Sequence, residues 1–410
     1  MEKNDIFQRY KSGPREKVIF VLSIAVSLMH IYFNILTVLP SLWQNALHYS
    51  GFALLCCLAY PLGGSGRQKK WLLAVDLVLG LSAAASAIYM ISMEDAIYAR
   101  GVHLSPTEWV AGSVLIFSAL EFTRRTTGWV IPILIVIALT YVGWWGAMLN
   151  NVFRFSGLST ETLLFRSIYG DDGLFGNIAL ISSTFVFMFI LFGAFLLRSG
   201  AGEFVINLAR AVAGKTIGGP GLVAVFASGL TGTISGSAVA NTASTGVITI
   251  PLMKKAGFNA KFAAGVEAAS STGGQLMPPI MGAGAFVMAS YTQIPYTTIV
   301  TVSILPAILY FASVAFYVRI GTIDDEEVKL LDVLKEGGLP FILPICALMG
   351  MLIYGFTPTY AAGISILAVI VASWLTPNRM GIRAIMEALA LGARNMIMTG
   401  ILLCSVGLVV

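Results

Sequence analysis

Between Gly229 and Gly282 the sequence GLTGTISGSAVANTASTGVITIPLMKKAGFNAKFAAGVEAASSTGGQLMPPIMG sets hydroxyls, amides, glycines and three prolines into segments apolar enough for a bilayer. In hydrocarbon every backbone N–H and C=O needs a partner, so a helix broken at membrane depth survives only where the freed groups are buried in protein or line a site. Broken helices are where secondary transporters hold substrates and coupling ions. The first break is expected at Ser235-Gly236-Ser237, where two hydroxyls flank the residue most tolerant of unusual backbone angles. Ser235, Gly236, Ser237, Asn241 and Thr242 would offer side-chain and carbonyl oxygens to a hard cation such as Na⁺. The helix that starts after the break would point its N–H groups at an anion. Small residues selected for close helix contact are the plainer explanation of the same letters.

A second oxygen-rich stretch, Ser270 to Gln275, precedes Pro278-Pro279. Proline removes a backbone donor and disfavours helix in the residue before it, so the span from Phe262 should break between Gly273 and Pro279. Ser271, Thr272, Gly273, Gly274 and Gln275 would then meet the first break and complete one cation site, with Thr272 and Gln275 its best side chains. Ser235, Ser237, Asn241 and Thr272 are the expected Na⁺ ligands. A simple proline kink is the alternative. Glu267 lies about two turns into the same span. An intramembrane carboxylate has a coupling or gating role by default, but this one is also near enough to Lys261 for a structural ion pair.

These residues need helices of membrane length around them, and the composition supplies them. Of 410 residues 57% are hydrophobic and 11% charged, with mean hydropathy +0.85, against about a quarter charged in soluble domains. The chain reads as an all-α polytopic membrane protein. Apolar runs near the ~20 residues that cross a bilayer occur at 18–40, 46–62, 71–92, 109–122, 128–149, 174–197, 262–291, 296–318, 339–356 and 359–375. The fold expected is about ten full spans plus one hairpin. The start, basic from Met1 to Lys17 and followed by an apolar run without a small-x-small cleavage site, reads as a retained first span.

The basic residues set the topology. With a cytoplasmic N-terminus, and with Pro220 to Met253 entering and leaving on one side, only Arg100, Arg154 and Arg166 fall outside. A single crossing there would turn Lys254, Lys255, Lys261 and the next two basic clusters outward. The positive-inside rule therefore favours a re-entrant hairpin open to the cytoplasm. Asn150 to Gly173 suits an outer interfacial helix, and Glu203 to Gly214 and Thr322 to Gly338 suit cytoplasmic surface arms. Asp76 and Glu121 read as partners of Arg124 and Arg125 within the first bundle.

GTISGSAVANTASTG, TIPLMKKAGF and EAASSTGGQLMPPIMGAGAFVMA, with LEFTRRTTGW and FVFMFILFGAFLLRSGAGEFVINLARAVAGKTIGGP before them, resemble the membrane component of tripartite ATP-independent periplasmic (TRAP) transporters. The fused permease of the TAXI subgroup, with small and large subunits in one chain, is most similar. The resemblance implies an elevator-type secondary transporter of the bacterial inner membrane, with two inverted repeats that each hold a re-entrant hairpin and a broken helix. It implies import of a small organic acid, a carboxylate, delivered by an extracytoplasmic solute-binding protein and driven by Na⁺ or H⁺. It divides the chain into a small-subunit-like bundle (1–126), a connecting span (127–150) and a large-subunit-like part (151–410). Such permeases continue through a second hairpin, so the chain is expected to be truncated after CSVGLVV.

Other classes are disfavoured. Cys56, Cys57, Cys346 and Cys404 sit in apolar segments and read as small hydrophobes, and His30, His48 and His103 are scattered. HExxH and Walker A motifs are absent, as are paired Cys/His ligand spacings, so neither an enzyme nor an ATP-driven pump is expected. The basic residues sit between spans, which disfavours nucleic acid and leaves lipid as the surrounding partner. An ion channel with a re-entrant pore loop is the alternative, and passive flux instead of accumulation would distinguish it.

Overall fold

The computed structural model describes residues 13–63, 70–101, 103–213, 218–320, 330–376 and 379–409, and every regular element among them is helical. In chain order these are α1 (Pro14–Ile31, continued by a π-turn, Tyr32–Leu36), α2 (Ser41–Ala59), α3 (Lys70–Ser92), α4 (Glu94–Ala99), α5 (Pro106–Thr127), α6 (Val130–Gly143) and α7 (Thr160–Tyr169). Then follow α8 (Asn177–Arg198, with a π segment at Ser182–Val186), α9 (Ala201–Ala213), α10 (Gly219–Ser235), α11 (Ala238–Lys255), α12 (Ala260–Gly273), α13 (Ala283–Thr292), α14 (Tyr296–Ile320), α15 (Leu330–Ile353), α16 (Pro358–Trp374) and α17 (Ile382–Val406).

Among the described residues five helices are long and apolar enough to cross a membrane: Pro14–Leu36, Trp71–Ser92, Asn177–Arg198, Tyr296–Arg319 and Ile382–Val406. Val130–Gly143, Gly219–Ser235, Pro340–Ile353 and Pro358–Trp374 are shorter apolar helices. The last long helix, α17, is absent from the apolar runs in the sequence because Arg383, Glu387 and Arg394 interrupt it. The structure neutralises each of them. Glu387 takes Arg198 at 2.8 Å and Arg383 at 3.2 Å, and Arg394 reaches Glu16 at 3.1 Å. The arm expected at Thr322–Gly338 lies outside the described residues until α15 begins at Leu330, as does the basic start up to Ser12.

The contacts divide the chain into two units, 1–187 with 393–410, and 188–392. In the first, α2 packs on α1 and α3, and α3 on α5. Arg125, only 4% exposed, bridges Asp76 (2.6 Å) and Glu121 (2.8 Å), so the intra-bundle pairing expected of those carboxylates is present. Between α1, α2 and α8 a polar chain is buried in one direction. His30 Nδ1 meets the Val26 carbonyl at 2.7 Å, His30 Nε2 meets His48 Nδ1 at 2.7 Å, and His48 Nε2 meets Ser182 Oγ at 2.9 Å. Asn45 donates to the Phe175 carbonyl (2.8 Å) and Ser183 donates to Asn45 Oδ1 (2.9 Å). In apolar surroundings such bonds fix register between helices.

In the second unit α9 lays Phe204, Val205 and Ala209 against α10 and α15, leaving Val212 exposed. α15 and α16 form an antiparallel pair, with Thr357 capping the second. The hairpin α10–α11 and the interrupted α12–α13 make up the centre of the site below.

Removing one partner of a buried ion pair strands the other charge and costs about 3–5 kcal/mol. Asp76→Ala should therefore lower the thermal midpoint of the protein in detergent markedly, and Asp76→Ala with Arg125→Met should recover much of the loss. Equal midpoints for the single variant and the native chain would contradict a buried pair.

Candidate functional site

The hairpin turns at one residue. α10 ends at Ser235, Gly236 takes the left-handed conformation (φ 58°), and Ser237 caps α11 by accepting the Ala240 N–H at 3.3 Å. A Cβ on Gly236 would lie 2.1 Å from the Met281 carbonyl oxygen, so both the backbone angle and the approach demand glycine. α10 and α11 then run back along each other.

The broken helix crosses this hairpin. α12 ends at Gly273, a 3₁₀ turn spans Gly274–Leu276, and helix resumes only at Ala283. Its freed groups find partners. The Gly282 N–H donates to the Gln275 carbonyl at 2.8 Å, and the Tyr296 hydroxyl donates to the Pro279 carbonyl at 2.7 Å and lies 2.8 Å from that of Ile280. Tyr310 donates to the Ala269 carbonyl at 2.8 Å. At the crossing, Gly232 and Gly274 meet backbone to backbone. A Cβ on Gly232 would sit 2.3 Å from the Gly274 Cα.

Asn241 is fully buried beside the crossing. Its Nδ2 donates to the Ser228 carbonyl at 2.8 Å, while its Oδ1 has no hydrogen-bond partner among the described residues. The hydroxyls of Thr231 and Ser270 are likewise buried and unpartnered. Unpaired buried oxygens are costly unless something else satisfies them, and an oxygen-seeking cation would fit Asn241 Oδ1.

Glu267 is fully buried and its carboxylate is held by four hydroxyls: Ser228 (3.0 Å), Thr245 (2.5 Å), Ser271 (3.0 Å) and Thr249 (2.5 Å). They come from α10, α11 and α12, and Gly246 makes the space, since a Cβ there would stand 3.2 Å from Glu267 Cγ. The ion pair with Lys261 considered from the sequence is not formed: Lys261 is exposed and the carboxylate partners are hydroxyls. Distance along a helix axis said nothing of direction, and Glu267 faces the hairpin.

The expected site residues separate by helix face. Ser235, Gly236, Ser237 and Thr242 are half-buried at the turn, with the Thr242 hydroxyl on the Ala238 carbonyl (2.9 Å). Ser271, Gly273 and Gly274 are buried. Thr272 and Gln275, the side chains favoured for meeting the hairpin, are exposed, and the Thr272 hydroxyl is taken by the Ala268 carbonyl at 2.7 Å. Glu267, Ser271 and Gly274 follow the i, i+4, i+7 spacing that faces the hairpin, and Thr272 and Gln275 are each turned one residue away. Ser228, Thr245 and Thr249 were missed by sequence reasoning, although the i, i+4 spacing of Thr245 and Thr249 on α11 was a visible signal.

Residues 114–410, which contain all of this geometry, match the family model of the tripartite ATP-independent periplasmic transporter, DctM component. The chain belongs to this family. The C4-dicarboxylate TRAP transporter large permease of Rhodobacter capsulatus is 31% identical over 189 residues, covering 46% of this chain and 38% of that protein. The sialic acid TRAP transporter large permease of Vibrio cholerae serotype O1 is 27% identical over 211 residues, 49% of this chain and 48% of that one. The 2,3-diketo-L-gulonate TRAP transporter large permease of Escherichia coli K12 is 32% identical over 91 residues, 22% and 21%. The chain spans less than half the length of these relatives. The family is one of membrane transporter permeases, not of enzymes.

Gly232→Ala and Gly274→Ala should each lose about 1–3 kcal/mol through overpacking at the crossing. Gly265→Ala, whose Cβ would meet nothing within 4 Å, should leave the thermal midpoint unchanged or slightly higher. Tolerance of alanine at both 232 and 274 would show that the helices do not cross there.

Proposed function

We propose that the protein is a secondary active importer of a small organic acid, fed by an extracytoplasmic solute-binding protein and driven by a cation gradient across the bacterial inner membrane. The observation that carries this reading is the hairpin α10–α11 crossed by the interrupted α12–α13 at Gly232 and Gly274, within the segment matched to the permease family. Two broken elements in contact give a midplane surface of helix ends and freed carbonyls, the arrangement that holds substrate and ion in such transporters. Asn241 Oδ1 is the side-chain oxygen best placed for Na⁺, since it is buried and unpartnered, with Ser235, Ser237 and the carbonyls of the turn as further ligands. Thr272 would join them only if its hydroxyl left the Ala268 carbonyl.

In this reading the hairpin and the broken helix move as one body in an elevator cycle. The hairpin is open to the cytoplasm, and residues 1–126 are a small-subunit-like bundle joined through 127–150 to the large-subunit-like part, as in the fused TAXI type. The named substrates of the relatives, C4-dicarboxylates, sialic acid and 2,3-diketo-L-gulonate, all carry carboxylates, so a carboxylate is the substrate class.

The test is uptake into proteoliposomes supplied with the solute-binding protein, across a panel of dicarboxylates, sialic acid and sugar-derived keto acids, with Na⁺ and pH gradients imposed separately. Gradient-dependent accumulation is expected, and Asn241→Ala should raise several-fold the cation concentration that gives half-maximal uptake. Passive flux without accumulation would favour a channel, and an unaltered cation dependence in Asn241→Ala would remove that residue as a ligand.

A further inference from the structure

We propose that the groove between α12 and α14 seats one anionic phospholipid, its phosphate at Lys261 and an acyl chain against Gly265, a site apart from the hairpin crossing. The two helices are held together at two levels. Tyr310 of α14 donates to the Ala269 carbonyl at 2.8 Å, and a Cβ on Gly273 would lie 2.2 Å from the Tyr310 ring. Toward the start of α12 the Phe262 and Tyr317 rings stack with centroids 5.8 Å apart. Between these contacts lies a cavity of about 390 Å³, lined by Lys261, Gly265, Val266, Ala269 and Val314. Gly265 is exposed and a Cβ on it would meet nothing within 4 Å, so the space a side chain would fill is open. Lys261, Gly265 and Ala269 follow the i, i+4, i+8 spacing of one stripe along α12, apart from the stripe of Glu267, Ser271 and Gly274 that meets the hairpin.

Positive charge gathers at one end of this groove without an anion to balance it. Lys261 is exposed, as are Lys254 and Lys255 at the end of α11, and none of the three has a carboxylate partner among the described residues. A short turn joins α11 to α12, so the three lysines stand at the same end of these helices. The start of α10 and the last turn of α14, which carries Arg319, come to that end as well: a Cβ on Gly221 would lie 2.5 Å from Val318 and 3.4 Å from Phe258. α10, α11 and α14 contain no Asp or Glu, and the one carboxylate of α12, Glu267, is buried against hairpin hydroxyls.

An apolar groove alone accepts any chain, and a basic cluster alone accepts any anion. A ligand that satisfies both carries an anionic head on a hydrocarbon tail. For a permease in a bilayer that ligand is an anionic phospholipid, which basic pockets between membrane helices recognise by the headgroup. The lysine stems can lie along the apolar wall while their ammonium groups stay at the wet interface, where the phosphate also sits. An ammonium offers three donors that rotate freely, so it meets a phosphate without imposing a fixed approach. Phe258, Phe262 and Tyr317, stacked in sequence at 5.7 and 5.8 Å, form the aromatic wall beside Lys261. Tyr317 is exposed and of the type that favours the membrane interface.

The test is native mass spectrometry of the chain released from nanodiscs that hold equal amounts of phosphatidylglycerol and phosphatidylcholine with identical acyl chains. One phosphatidylglycerol should be retained in preference to phosphatidylcholine. Lys261→Gln should lower that retention about five-fold, the worth of one lysine near an anionic headgroup, and Lys261→Arg should keep it. Gly265→Leu fills open space on an exposed helix face and should abolish it. Lys261→Gln, a surface change, decides the matter by itself if Gly265→Leu does not fold. Equal retention of the two lipids, or phosphatidylglycerol retention unchanged in Lys261→Gln, would overturn the inference. Preferential retention of palmitate over phosphatidylglycerol from a mixture of the two would also overturn it, by giving the groove to a single-chain anion. The readout is lipid mass and not uptake, so its failure leaves the transport reading standing.

Discussion

The structure around the site depends on one constraint: a helix interrupted inside an apolar layer must satisfy every backbone group it frees. Several of the freed groups find local partners here. The glycine turn at Gly236 lets Ser237 cap the returning arm, and the break after Gly274 is closed by the Gly282 N–H, the Tyr296 hydroxyl and the Gln275 carbonyl. The two interrupted elements can then approach until Gly232 and Gly274 touch. Glycine at both positions removes the side chains that would hold the helices apart, and the hydroxyls of Ser228 and Thr245 meet Glu267 across the same contact.

The chain holds buried carboxylates in two physically different ways. Arg125 fixes Asp76 and Glu121 through charge, which suits a part that keeps one arrangement. Hydroxyls from α10, α11 and α12 hold Glu267 instead. In the buried run from His30 through His48 to Ser182 every ring nitrogen has a partner at hydrogen-bond distance.

Much of this was legible in the residues. Ser-Gly-Ser between two apolar arms marked a turn, and Pro278-Pro279 after a glycine pair marked an interruption, because both are properties of backbone and proline chemistry that hold in any surroundings. Pairing of Asp76 and Glu121 with arginine followed from the cost of a lone charge. Direction was harder to read. Thr272 and Gln275 look like ligands by type but lie one residue off the face that meets the hairpin. Glu267 looked close to Lys261 along the axis yet points to hydroxyls supplied from α10 and α11. The helix α17 was hidden because its charges, neutralised by Arg198 and Glu16 and by the Arg383–Glu387 pair within the helix, lower the local hydropathy that marks a span.

The central claim is that α10 and α11 form a hairpin that enters and leaves on the cytoplasmic side. Cysteines placed at exposed positions before and after it, Val212→Cys and Lys255→Cys, in a background with Cys56, Cys57, Cys346 and Cys404 replaced, test this with a membrane-impermeant thiol reagent. Both should be labelled in inside-out vesicles and protected in right-side-out cells. Labelling of the two positions from opposite sides would mean that this segment crosses the membrane, and the hairpin account would be wrong.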